Sequence, residues 1–254
     1  MADFTAMILE QGFAMSPLFD LPLFTFKNIC IDILHACDLG VTQDIVGNIL
    51  FLALGIVFLG SNRKHQMDSL NLQLKDHYRV FKTKNRVGFV SEDMVKRSGK
   101  SPKFRAKGAE TRHIVPFCLI VAKKFHEIVN DDMSMTMVRL MTSLMDFYMC
   151  LGHSPFPYDE FKSAGQKIVL FFTALRSEAE SRGKDLWKLK PKLHLLLEMT
   201  QYTAEETGDP GLYWTYADED FVGMVSAIGE SRGGPDRATT TPTRVARRIR
   251  ILMK

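Results

Sequence analysis

The stretch from Val46 to Gly60 (VGNILFLALGIVFLG) limits most strongly what this chain can fold into. It runs for 15 residues, and Asn48 is its one polar side chain. A helix that spans a bilayer needs about 20 consecutive apolar residues. The run falls short of that, so other parts of the protein must cover it. The reading that follows is a buried helix from about Gln43 to Phe58, capped by Thr42 and preceded by a turn at Gly40. A helix apolar on all sides needs packed neighbours all round. The 254 residues can supply them as one large domain or two small ones. The alternative is a small membrane protein anchored by residues 46–60, and basic residues soon after the run fit either arrangement. Asp3 and Glu10 interrupt the first apolar stretch and no basic lead precedes it, which argues against a secretory signal.

Apolar residues recur at helical spacing from His113 to Met149, as in VRLMTSLMDFYM, which predicts helix there. His153 to Pro157 breaks that pattern. A further helix is expected from Tyr158 to Arg182 with Gly183 as its cap, and another from Pro191 to the Gly208-Asp209-Pro210 stop. Phe24 to Leu34 (FTFKNICIDIL) is rich in aromatic and β-branched residues and reads as a strand ending near Asp32. Cys30, Cys37, Cys118 and Cys150 lack paired zinc spacing and read as reduced, mostly buried intracellular thiols. Cys30, His35 and Cys37 are close enough to suggest metal ligands, but two core thiols beside a functional histidine is the simpler reading.

The net charge of +4 is too small to define a polyanionic partner. Its distribution says more. From Lys75 to Arg112 there are twelve Lys or Arg and four Asp or Glu, a net of +8 (12 − 4). Lys82, Lys84, Arg86, Lys96, Arg97, Lys100, Lys103, Arg105, Lys107 and Arg112 are the candidates for nucleic-acid contact, with Tyr78, Phe81, Phe89 and Phe104 interleaved. Cations neutralise phosphates and rings stack on bases. A solvated helical face has the same composition.

Three clusters carry candidate chemistry. Asp32-Ile33-Leu34-His35, followed by Gly40, sets a carboxylate at the tip of the expected strand, where a rigid backbone and an open loop suit a metal ligand. His35 is placed to orient a water or meet a phosphate. The same Asp would equally cap the next turn. Lys107-Gly108-Ala109-Glu110-Thr111-Arg112-His113 groups side chains that grip a DNA backbone, or else starts a helix near Thr111. Trp214-Thr215-Tyr216-Ala217-Asp218-Glu219-Asp220, followed by Gly223, lines up three acids at a helix start. That is favourable with the helix dipole and also supplies a metal-binding carboxylate. Trp214 and Tyr216 would wall the site or pack beneath it.

Taken in order, the clusters resemble the second half of the catalytic domain in CACTA-type DDE transposases. That family has Asp-x-x-His with Gly-Val several residues on, here Asp32, His35, Gly40 and Val41. A helical insertion follows with a Lys- and His-containing motif, matched by Lys107 and His113, although Glu110 to Arg112 depart from the Asp or Cys that the family carries there. Pro-x-x-His-Leu is matched by Pro191, His194 and Leu195, and Trp-x-Tyr-x-x-Glu-x-x-x-Gly by Trp214, Tyr216, Glu219 and Gly223. The match is collinear over about residues 24–235.

The resemblance implies a mainly α chain. It would hold an incomplete ribonuclease-H-like core of one or two residual strands, with a large helical insertion at about 61–190, all within 1–235, and a basic tail at 236–254. It implies Asp32 as the second catalytic Asp and Glu219 as the catalytic Glu, both ligands of Mg2+ or Mn2+, in a centre where two cations sit about 3.5–4 Å apart. His35, His113, His194, Trp214 and Tyr216 would support it. DNA is the implied partner and no small-molecule cofactor is called for. The implied location is intracellular, nuclear or cytoplasmic, with the nucleus following from the resemblance. Of the family's first Asp, Asp3 and Asp20 are the candidates ahead of Asp32, without room for the strands between. The expectation is therefore a transposon-derived protein with weak or absent cation binding and no cutting activity. The alternative is a non-enzymatic helical protein that binds DNA or a protein partner. Oligomeric state is not legible.

Overall fold

The computed structural model describes residues 17–25, 28–230 and 246. The tail expected over 236–254 lies outside these, apart from Ala246. The chain is mainly helical. Its principal helices are α1 (Leu34–Ala53), α2 (Arg63–Phe81), α3 (Glu92–Val95), α4 (Gly108–His113), α5 (Val115–Val129), α6 (Asp132–Met149), α7 (Tyr158–Ser181), α8 (Pro191–Glu198) and α9 (Tyr216–Glu230). After α8 the chain continues through a π-helical turn, Met199–Thr203, and a last turn, Ala204–Thr207.

α1 is long and apolar enough to span a membrane by length and composition, but 83% of its apolar window is buried in the protein. It packs against α5, and α5, α6 and α7 pack in succession. Phe147 on α6 stacks on Phe161 of α7 with centroids 4.7 Å apart. Helix starts follow side-chain chemistry. The Asn62 carboxamide accepts the His65 N–H (3.0 Å), and Asp131 accepts the Ser134 N–H (2.7 Å). Asn130, in a left-handed conformation, ends α5 and divides the helical stretch expected over His113–Met149. Asn48, the lone polar residue of the apolar run, is 1% exposed. Its amide donates to the Asp44 carbonyl (2.8 Å) and accepts the Trp187 N–H (3.1 Å), tying α1 to the loop before α8.

Two expectations are corrected. The strand over Phe24–Leu34 does not form: among the described residues there is no sheet, and the one β-pairing is an isolated Leu54–Phe58 bridge. The Asp32 carboxylate accepts the N–H groups of Leu34 (3.3 Å) and His35 (3.0 Å), and its carbonyl accepts that of Ala36 (3.0 Å). The acid therefore opens a helix instead of ending a strand. A strand with no neighbour would leave its backbone groups unpaired. The apolar helix also differs at both ends: it runs back through Thr42, expected as its cap, to Leu34, and it ends at Ala53, short of Phe58, because the chain turns at Gly55 with φ +83°.

The first part of α1, Leu34–Val41, is π-helical, with Gly40 at φ −124° and ψ −105°. Such wide turns recur at functional sites, and the candidate residues gather around this one.

Candidate functional site

Asp32 and Glu219 meet on His35. The His35 ring lies between them, with Nδ1 2.5 Å from Asp32 Oδ2 and Nε2 3.2 Å from Glu219 Oε1. Thr215 closes the other side of Asp32: its N–H donates to Oδ1 (3.0 Å) and its hydroxyl to Oδ2 (2.8 Å). Burial pushes the Asp32 carboxyl up, but the hydrogen bonds from His35 and Thr215 outweigh it and hold the group below its ordinary value. The cluster opens to solvent on the Glu219 side, where that side chain is 53% exposed.

Beneath it lies a second acid that the sequence reading passed over. Asp38 is fully buried on the same π-helical turn. Arg112 of α4 grips both its oxygens, with Nη2 at 2.7 Å and Nε at 3.3 Å. The Tyr148 and Tyr216 hydroxyls donate to it at 2.5 and 2.6 Å, and Thr42 joins through the Tyr148 hydroxyl (2.7 Å). Burial pushes the Asp38 carboxyl up, against the pull of Arg112 and the two phenols. The Arg112 guanidinium sits over the rings of Trp214 (4.7 Å), Tyr148 (5.0 Å) and Tyr216 (5.5 Å). Gly108 permits this approach, since a Cβ there would fall 2.3 Å from Leu34 Cδ1 and 3.1 Å from the Tyr216 hydroxyl.

The Trp-Thr-Tyr-Ala-Asp-Glu segment thus acts as a clamp. Trp214 and Tyr216 lock onto Arg112, Thr215 holds Asp32, and α9 carries Glu219 to His35. The available clue to Asp38 was a charged residue, three positions after His35, inside an apolar helix. Nothing local marked Tyr148, which lies in a helical stretch far along the chain.

The other candidates fall elsewhere. His113 is half-buried and its Nδ1 lies 2.7 Å from the Ala109 carbonyl of its own helix. His194 is exposed on α8, and among the described residues no hydrogen bond or ion pair joins it to the cluster. Lys82, Lys84 and Arg86 are exposed on the turn after α2. Arg97, Lys100 and Lys107 are exposed, and the Lys96 ammonium lies over the Phe51 ring (4.3 Å). Lys103 and Arg105 are half-buried. Arg112 is the correction within this set: its guanidinium faces inward to Asp38, so it is not available to a phosphate.

The donor set does not fit a two-cation centre as it stands. The Asp32 carboxylate accepts from Leu34, from His35 twice and from Thr215 twice, which exceeds the roughly four lone-pair positions of a carboxylate. Among the described residues no group of three His, Cys, Asp or Glu side chains is disposed to hold a metal ion. A cavity of about 710 Å3, lined by Asp146, Cys150, His153 and Glu160 among others, shares no residue with the cluster.

Comparison of the chain with models of known protein families, with curated proteins and with solved structures gives no match.

Proposed function

We propose that the chain is transposon-derived, akin to the catalytic domain of a CACTA-like DDE transposase with its ribonuclease-H-like core, and that it now binds DNA without cutting it. One observation carries the reading. Asp32 and Glu219 are the two motif carboxylates, separated in sequence by the whole helical insertion, and they converge on the motif histidine, His35. The clamp formed by the last motif supports it, because Trp214 and Tyr216 anchor the segment that delivers Glu219.

The loss of cutting rests on how the acids are held. The ancestral reaction is metal-assisted hydrolysis and strand transfer at phosphodiesters, which needs carboxylates free to hold cations. Here Asp32 caps a helix and is closed over by Thr215, so Mg2+ or Mn2+ binds weakly. What remains is the cationic surface from Lys96 to Lys107, fit for phosphate contact. The place of action on this reading is the nucleus.

The test combines three measurements on the full chain: DNA binding against salt, Mn2+ binding by electron paramagnetic resonance, and plasmid nicking in Mg2+ or Mn2+. The expected result is salt-dependent binding unchanged by Asp32→Asn, with no nicking. Metal-dependent nicking that Asp32→Asn abolishes would keep the family and overturn the loss of activity. No binding to DNA at any salt concentration would overturn the function proposed.

A further inference from the structure

Three lysines from two segments far apart in the chain, Lys103 on one and Lys190 and Lys192 on the other, meet beside the π-helical turn of α1. The Lys103 and Lys192 ammoniums both donate to the Leu39 carbonyl, at 3.5 and 3.3 Å. The Lys190 ammonium pairs with Asp44 Oδ1 at 2.5 Å. Asp44, a buried side chain, is the one carboxylate set among all three. Three cations against one anion leave two charges uncompensated, and among the described residues neither Lys103 nor Lys192 forms an ion pair. Burial, and then the neighbouring Lys190, Lys192 and Arg105, loosen the Lys103 ammonium's hold on its proton, against the pull of Asp44.

The backbone holds this arrangement rigidly. Phe104, fully buried between Lys103 and Arg105, donates its N–H to the Gln43 carbonyl (2.8 Å). The Lys103 N–H donates to Val95 (3.0 Å) and the Arg105 N–H to Met94 (2.8 Å), while the Gln43 amide donates to the Ala106 carbonyl (2.8 Å). Gly47 lets α1 lie directly on this segment, since a Cβ there would fall 2.5 Å from Lys103 Cα. Alternate residues of an extended segment share a side. Lys103 and Arg105 accordingly border, with Lys107 and Glu110, a cleft of about 530 Å3, in which the Glu110 carboxylate accepts the Lys107 N–H (2.9 Å).

We infer that this face is a phosphate-binding site, with Lys103 and Lys192 supplying the charge and Arg105 a planar donor. An oxyanion there provides the missing counter-charge. Each ammonium has three N–H donors, and the Leu39 carbonyl takes one from each lysine. Arg105 Nη1 is held by the carbonyls of Asp93 and Lys103 (3.1 Å each), which aims the guanidinium. The phosphate is either a nucleic-acid phosphodiester or free phosphate. In the first case the inference deepens the DNA-binding reading and rests on it.

The experiment uses the full chain and two probes: a short fluorescein-labelled duplex followed by anisotropy against salt, and inorganic phosphate followed by phosphorus NMR line broadening. Lys103→Met with Lys192→Met removes both charges and keeps the stems, which matters because the Lys192 side chain lies against Gly40. Lys123→Met with Lys124→Met is the charge-matched control on the exposed side of α5, outside the residues named for nucleic-acid contact. The Lys103/Lys192 pair is expected to lose about tenfold or more in duplex affinity and nearly 2 from the log–log salt slope, at about 0.9 per phosphate contact. The control should lose far less. Thermal melting of the Lys103/Lys192 pair should be unchanged or higher, since like charges are relieved. If duplex binding falls equally in both pairs, or in neither, and phosphate broadening is also indifferent to Lys103 and Lys192, the site is overturned whatever becomes of the DNA reading. If the duplex never binds but phosphate broadening depends on these two lysines, the site stands and the DNA reading falls.

Discussion

Asp32 and Asp38 belong to the same start of α1, yet the fold treats them as opposites. Asp32 sits at the rim, its side chain 17% exposed, and its carboxyl is held below its ordinary value by hydrogen bonds that outweigh burial. Asp38 is sealed beneath, raised by burial and countered by Arg112 and two phenols. Consecutive residues hold the two: Thr215 closes on Asp32 and Tyr216 on Asp38. An acid buried with its cation serves mainly to hold elements in register, whereas one at the rim meets solvent and solutes. The difference separates the scaffold from the candidate site.

The largest effect should come from breaking the buried side. Asp38→Ala leaves the Arg112 charge uncompensated, and unfolding in urea should show a loss of about 3–5 kcal/mol. Combining Asp38→Leu with Arg112→Met should recover much of that, because well-packed apolar groups often replace a buried pair at little loss. Lys190→Met should be next, at about 1–3 kcal/mol, because it removes the hydrogen-bonded cation from the buried Asp44 carboxylate; adding Asp44→Asn should restore part of it.

The rim side should respond less. Asp32→Asn is expected to lose about 1 kcal/mol at neutral pH, the scale of a helix cap. The sign with pH sharpens the comparison. A depressed carboxyl contributes stability above its unfolded value, and that contribution is lost as pH falls through the folded value. The gap between wild type and Asp32→Asn should therefore close below about pH 3.8. Asp38, raised by burial, has the opposite dependence: the titration-linked part of its contribution is fullest below the unfolded value and is lost as pH rises through the folded one, while its hydrogen bonds to Arg112 persist. Thr215→Val should have the smallest effect on stability, about 0.5 kcal/mol. Its clearer signature is an upward move of the Asp32 carboxyl in an NMR titration.

Much of the helical framework was readable in advance. Periodicity placed α7 closely, Pro191 opened α8, and Gly208 closed the turns after it at φ +75°. The motif residues Asp32, His35, Trp214, Tyr216 and Glu219 all lie at one cluster. The strand before Asp32 was misread because β-branched residues suit a strand only where a partner strand exists. The acid's carboxylate caps a helix instead. The basic segment was readable as charge but not as direction, and for that reason Arg112 was grouped with the phosphate candidates.

By itself the sequence determined where some helices start and stop, as at Tyr158, Pro191 and Gly208, and it required the apolar run around Asn48 to be covered. Capping, periodicity and glycine or proline breaks act over a few residues, so they can be read locally. The tertiary structure alone decided that Arg112 turns inward to Asp38 and that Lys190 and Lys192 join Lys103 on one face. It also decided that Tyr148 seals the acid below the site. Those contacts join residues tens to more than a hundred positions apart, and a charge acquires its partner only when packing brings the two together.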